Sequence, residues 1–142
     1  MRISTKGRYS LEALLYLAFL PPNEYASLRQ IGESTELSDG YLEQLFIPLR
    51  GVDIVRGIRG PRGGYFLGKP PAEISVGDIL RAAESSLEPV ECLTGAPCPR
   101  VDSCQRRLAW KELYLAINNL IDGITLEDLV QSCEAMDREY VI

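Results

Sequence analysis

The chain has 142 residues, with 15 Lys/Arg against 20 Asp/Glu, four cysteines and no histidine. At 46% hydrophobic and 25% charged residues it has the composition of one compact globular domain with an appendage, not of a disordered or fibrous chain. The missing histidine excludes Ser-His-Asp and Cys-His catalysis and leaves any metal to sulfur or oxygen ligands.

The first predicted element is a helix from Tyr9 to Leu20, with Leu11, Leu14, Leu15, Ala18 and Phe19 at helical spacing and Pro21-Pro22 closing it. The apolar run it contains, Leu14 to Pro22, is nine residues long, is broken by the two prolines and has no small-residue cleavage site. Neither a signal peptide nor a membrane span is expected, and the chain reads as cytosolic, where four cysteines point to metal or redox chemistry rather than disulfides.

Ser27 caps a short second helix, Leu28 to Ser34, and Ser38-Asp39-Gly40 opens a third from about Gly40 to Arg50, carrying Tyr41, Leu42, Leu45, Phe46 and Leu49. Two short helices joined by a tight turn suggest a helix-turn-helix. Pro48 removes a backbone hydrogen bond, so the third helix is expected to bend or tighten near its end. Ile54 to Ile58 and Tyr65 to Leu67 then read as strands on either side of Arg59-Gly60-Pro61-Arg62-Gly63-Gly64, a glycine-rich hairpin that would be the wing.

This pattern suits DNA. Glycines let a backbone approach phosphates, and arginine side chains can enter a narrow minor groove. The third helix would lie in the major groove with Ser38, Tyr41, Glu43 and Gln44 on its first turns, where glutamine can pair with adenine and glutamate can accept from cytosine. A solvated helix face is the competing reading for Glu43 and Gln44. Charge supports the location: residues 1–70 hold nine basic against seven acidic side chains, residues 71–142 six against thirteen. Arg50, Arg56, Arg59, Arg62 and Lys69 share twenty residues with a single acid, Asp53. Such a cluster is an electrostatic footprint for phosphate, or a solvated hairpin surface.

After Lys69-Pro70-Pro71 comes an acidic helix, Val76 to Ser85, expected to pack Val76, Ile79, Leu80 and Ala83 onto the winged domain. Residues 87–104 have no period and hold three cysteines. A long helix from Gln105 to Asp122 follows, placing Trp110, Leu113, Tyr114, Ile117, Leu120 and Ile121 on one broad face and Leu108 and Leu115 roughly opposite. One stripe can be buried against its own subunit and the other against a second copy. A two-fold homodimer would present two recognition helices to a palindrome of double-stranded DNA. Thr125 caps a last short helix, Leu126 to about Cys133.

Cys92, Cys98 and Cys104 form Cys-x5-Cys-x5-Cys in a segment shaped by Gly95, Pro97 and Pro99. Three thiolates so spaced can converge on an iron-sulfur cluster, on zinc, or on no metal at all as a redox switch. Cys133, 29 residues on, reads as an inert helix cysteine. Nothing sets a general base beside a nucleophile, so an enzyme is not expected. The fold class is mostly α with a small β-wing: a winged helix-turn-helix domain at 1–86, a cysteine-bearing sensor loop at 87–104, and a dimerisation helix with C-terminal tail at 105–142.

Met1 to Tyr9, the segment Tyr41-Leu42-Glu43-Gln44-Leu45-Phe46, the wing from Ile58 to Tyr65 and the three-cysteine loop before Trp110 together resemble the IscR-type family of bacterial winged-helix regulators, over practically the whole chain. The resemblance implies a homodimeric transcription factor, with Cys92, Cys98 and Cys104 as ligands of a 2Fe-2S or 4Fe-4S cluster and with Arg59, the wing glycines and the start of the third helix at the DNA. It places Arg107 where the iron-sulfur biogenesis branch has a ligating histidine, and Arg8 where the nitric-oxide-sensing branch has an aspartate. The fourth ligand is unassigned; Glu12, Asp102, Cys133 or an exogenous thiol are the candidates. The ending Glu139-Tyr140-Val141-Ile142 is similar to the tail by which serine acetyltransferases enter cysteine synthase, and the cysteine-metabolism repressors of the same family end in a similar way. That likeness makes Tyr140, Val141 and Ile142 a candidate partner tail, with a frayed terminus as the competing reading. The implied targets are genes of iron-sulfur, redox or cysteine metabolism. A metal or cluster carrier without DNA, and a cluster-free regulator controlled by cysteine synthase, are the competing functions.

Overall fold

The computed structural model describes residues 3–84, 87–89, 93 and 105–140, with the backbone alone at 139 and 140. Helix α1 (Thr5–Ala18) starts four residues before the expected Tyr9, because Ser4 is the N-cap: its Oγ accepts from Gly7 N–H at 3.3 Å. The apolar period that marks the helix in the sequence begins only at Leu11, so the polar first turn was hidden. Its end falls at Ala18 rather than Leu20, ahead of two prolines that disfavour helical geometry in the residue before them.

Helix α2 (Leu28–Thr35) opens with a reciprocal cap: Ser27 Oγ accepts from Gln30 N–H and the Gln30 side chain accepts from Ser27 N–H. Glu36, in the left-handed region at φ 60°, turns the chain into α3 (Asp39–Gly51), whose N-cap Ser38 accepts from Tyr41 N–H at 3.2 Å. Pro48 sits inside α3 on its exposed side, and the helix continues past it to Gly51.

Strands β1 (Val55–Ile58) and β2 (Gly64–Leu67) pair antiparallel with Val55 opposite Leu67 and Ile58 opposite Gly64. Each is shifted by one residue at its start from expectation. Ile54 belongs to the turn, bonding back to Leu49 O at 3.0 Å, while Gly64 joins the ladder. The hairpin is tied to the body by a bridge between Ala26 and Tyr65, in which each N–H donates to the other's carbonyl. Phe46 of α3 packs its ring 4.8 Å from that of Tyr65.

A short 3-10 turn (Pro71–Glu73) leads to α4 (Val76–Ala83), capped reciprocally by Ser75 and Asp78. It ends before the expected Ser85, since Glu84 is extended and its carboxylate accepts from Ser4 N–H at 2.8 Å and from Ser4 Oγ at 2.7 Å. Of its expected inward residues, Ile79 and Leu80 are buried and Val76 and Ala83 half-buried.

Helix α5 (Gln105–Asp122) has the expected bounds, and α6 (Leu126–Tyr140) runs seven residues beyond the expected Cys133. No breaker follows Cys133, and Glu134, Ala135, Met136 and Arg138 are strong helix formers. The core joins Leu14, Leu17, Ile31, Leu42, Leu45, Phe46, Leu49, Ile54, Val55, Ile74 and Ile79 with Leu126. The start of α6 therefore returns to the winged body, whereas α5 buries none of its residues. Among the described residues no helix is long and apolar enough to cross a membrane.

Candidate nucleic-acid interface

The turn between α2 and α3 and the hairpin after α3 leave two adjacent surfaces outside the core. On α3 the buried stripe Leu42, Leu45, Phe46 and Leu49 forces Glu43, Gln44, Ile47 and Arg50 outward, and all four are exposed. Two residues expected beside them have internal work. Ser38 is occupied as the N-cap, and Tyr41 is half-buried with its ring edge-on to that of Tyr9, centroids 6.0 Å apart. Ile47 is 52% exposed one turn after Glu43 and Gln44. Sequence reasoning missed it because an isoleucine in an amphipathic helix is first assigned to the core; its spacing from Gln44 was the available signal. An apolar side chain so placed can contact a thymine methyl.

The wing sorts its residues differently from the sequence reading. Gly60 takes φ 110°, a backbone region open to glycine, and turns the tip. A Cβ at Gly63 would collide with Ile58 O, and one at Gly64 with Ala26 O. Gly64 is also buried. The last two glycines are thus required by hairpin closure and by the Ala26 bridge, and Gly64 does not face a ligand. Arg59 and Arg62 are exposed, and among the described residues neither has an ion-pair partner.

Of the five-residue basic cluster, Arg56 is already engaged. It donates from Nε and Nη2 to the two Asp53 carboxylate oxygens, each at 2.8 Å. That bond lowers the Asp53 carboxyl and raises the Arg56 guanidinium relative to their ordinary ranges. Asp53, at φ 62°, is where α3 turns into β1, so the pair shapes the wing base. Arg8, considered above only as a missing ligand, is exposed on α1 with its guanidinium 5.9 Å from the Tyr9 ring. The Tyr9 ring it covers is the one that meets Tyr41 in the first turn of α3.

Cys92, Cys98, Cys104, Val141 and Ile142 lie outside the described residues, and Tyr140 is the last residue of α6. Two described features border the cysteine segment. Tyr114 of α5 donates to Glu88 Oε1 at 3.4 Å, and Cys104 directly precedes α5. Arg107, in the first turn of α5, has its Nε buried without a hydrogen-bond partner among the described residues. A guanidinium has no lone pair to give a metal. The thiolate donors thus suit a cluster and Arg107 does not. Cys133 is a half-buried free thiol on α6, Glu12 is exposed on α1, and among the described residues no three His, Cys, Asp or Glu side chains converge.

Known proteins of this architecture match closely. Residues 3–132 fit the Rrf2 family model, described as iron-dependent transcriptional regulator. The HTH-type transcriptional regulator CymR of Bacillus subtilis is 38% identical over 141 residues, covering 99% of this chain and 98% of the relative. The solved structure of that protein, the global cysteine regulator of B. subtilis, superposes with a TM-score of 0.77 at 40% identity, over 93% of this chain and 98% of the other. The regulator IscR of Sodalis glossinidius is 36% identical over 96% of this chain and 83% of its own. The structure of T. potens IscR gives a TM-score of 0.78 at 34% identity, over 96% and 90%. These relatives are regulators rather than enzymes, with the mostly helical fold and two-stranded wing found here. The chain belongs to the Rrf2 family of transcriptional regulators.

Proposed function

We propose that this regulator binds double-stranded DNA as a homodimer, with α3 in the major groove and the wing arginines at the adjacent minor groove. In this reading Glu43, Gln44 and Ile47 meet base edges, while Arg8, Arg50, Arg59 and Arg62 meet phosphates or the minor groove. The observation that carries it is the juxtaposition of an exposed α3 face with two wing-tip arginines that have no ion-pair partner among the described residues. Exposed apolar residues of α5, Trp110, Leu113, Leu108, Leu115 and Leu120, support a second copy as the partner of that helix.

Binding is modulated through Cys92, Cys98 and Cys104, which would hold an iron-sulfur cluster or respond as thiols to oxidation. A cluster would supply redox- and ligand-sensitive chemistry at that segment. Its fourth ligand is not Arg107, so iron held by three protein thiolates would be labile, as suits a sensor. The controlled genes would serve iron-sulfur, redox or cysteine metabolism. Quantitative DNA binding of wild type and Cys92→Ala in reduced and oxidised buffer tests the scheme: the wild-type affinity should differ between buffers and that of the variant should not. Equal wild-type affinity in both would refute sensing by the cysteines.

A second reading is favoured by the near full-length similarity to the cysteine regulator of Bacillus subtilis. Here the segment Tyr140-Val141-Ile142 enters cysteine synthase and the complex, rather than a cluster, alters DNA binding. Titrating a peptide that ends in Ile142 into cysteine synthase decides it, with competition against substrate as the expected result and no competition as the refutation.

A further inference from the structure

Helix α5 is fastened to the winged body at one corner. The chain turns at Gly123 between α5 and α6, and a short antiparallel bridge between Ser75 and Thr125 pins that turn to the start of α4. Val76 N–H donates to Ile124 O at 2.8 Å and Leu126 N–H to Ile74 O at 2.9 Å. Leu126 is fully buried immediately beyond, so this end is held by the core. On the other side of the turn α5 leaves along α4 with no buried residue. It has 18 residues, and a helix of that length is a rod of about 27 Å. A swing of about 10° at the pivot would carry the far end about 5 Å, more than the ~3.4 Å rise of one base pair.

Among the described residues, one side chain of α4 grips the rod near this corner. Arg81, in the last turn of α4, donates from Nη1 to Asp122 Oδ1 at 2.6 Å, and from Nη2 to Asp122 Oδ2 at 3.0 Å and Asn118 Oδ1 at 2.6 Å. Asn118 and Asp122 are one helical turn apart, so the planar guanidinium grips two successive turns of α5. A lysine ammonium, a single point of charge, cannot reproduce that fork. Gly77, one turn earlier on α4, makes room for it, because a Cβ there would collide with the Asp122 carboxylate and stand 2.8 Å from Arg81 Nη1.

We propose that Arg81 is a positioning residue that fixes the angle between α4 and α5, and thereby the separation of the two recognition helices and the half-site spacing the dimer accepts. This rests on the reading of α5 as the dimer-forming helix and α3 as the recognition helix. In sequence, Cys104 directly precedes the far end of α5.

Two measurements on the full chain test it. Nitroxide labels introduced through non-natural residues at Ser34 on α2 and Glu112 on α5, in labelled chains diluted with unlabelled protein, report the intrachain angle by dipolar spectroscopy. Both positions are exposed and leave the cysteines untouched. Wild type should give one narrow distance distribution, Arg81→Ala one at least twofold broader or shifted by several ångströms, and Arg81→Lys an intermediate. Gly77→Ala keeps the Arg81 charge and introduces the better helix former, yet should behave like Arg81→Ala because it expels Asp122 from the fork; it also serves if Arg81→Ala fails to fold.

The second measurement uses duplexes selected by the wild-type protein from a random pool, then lengthened or shortened by one central base pair. Wild type should lose tenfold or more in affinity on the altered duplexes, whereas Arg81→Ala should discriminate by less than threefold and keep its affinity for a single half-site. Wild-type distance distributions or spacing discrimination in both variants overturn the proposal. A wild-type protein that selects no duplex refutes the DNA-binding reading instead, and the distance distributions then decide the brace by themselves.

Discussion

The winged body and helix α5 solve the burial problem in opposite ways. The body closes a core from α1, α2, α3, β1, α4 and the first turn of α6, in which Leu14, Ile31, Phe46, Leu49, Ile74, Ile79 and Leu126 are removed from solvent. Helix α5 has a comparable stock of large apolar side chains but leaves Leu108 62%, Leu120 64% and Leu115 52% exposed. Exposed apolar surface of this kind is what the proposed second copy would cover. The two regions divide the labour: the body is specified by its own chain, and in the proposed dimer the arm is completed by a partner.

Several substitutions would break or sharpen that contrast. The largest effect is expected from Phe46→Ala, which opens a cavity between α3 and Tyr65 and should cost about 3–5 kcal/mol; denaturant unfolding measures it, and a loss under about 1 kcal/mol would contradict the packing described. Trp110→Ala on the arm should leave the unfolding of the body almost unchanged while weakening self-association by about 2 kcal/mol, roughly thirtyfold. Sedimentation equilibrium reads this directly, and a dimer as tight as wild type would move the interface off this face.

Smaller again is the loss expected from Ser75→Ala, which removes one half of the α4 capping box at a cost of about 1 kcal/mol. Arg59→Ala should not change stability, but should weaken DNA binding and reduce the slope of log affinity against log salt by about 1; an unchanged slope would exclude a phosphate contact by this residue. The smallest effect concerns pH. The Arg81 hydrogen bonds lower the Asp122 carboxyl from its ordinary 3.8. Its contribution is therefore complete above the ordinary carboxylate range and is lost as pH falls through the depressed folded value. Asp122→Asn should lower stability slightly at neutral pH and leave the acid end unchanged, flattening the limb between them; denaturant unfolding across a pH series measures it, and an acid limb as steep as wild type would contradict the assignment.

What was legible beforehand follows the same division. Period and caps located every helix, because Ser27, Ser38 and Thr125 announce their starts and Pro21-Pro22 stops α1. The start at Ser4 and the extension of α6 to Tyr140 were hidden, since neither stretch has an apolar stripe to mark it. The exposure of Glu43, Gln44, Arg59 and Arg62 could be read from spacing and charge. The internal duties of Tyr41, Gly63 and Gly64 could not, because they arise from Tyr9, Ile58 and Ala26, which reach them only through folding. Likewise the fork between Arg81 and Asp122 joins positions 41 residues apart and has no local signature.

In the proposed switch, the cysteine segment governs DNA binding by the winged body through the arm. Its most direct test is the affinity of anaerobically prepared protein for duplexes it selects from a random pool, before and after oxidation, for wild type and for the triple variant Cys92→Ala, Cys98→Ala, Cys104→Ala. A change of tenfold or more is expected in wild type and none in the triple variant. Equal affinities in all four cases, or an equal change in both proteins, would contradict it.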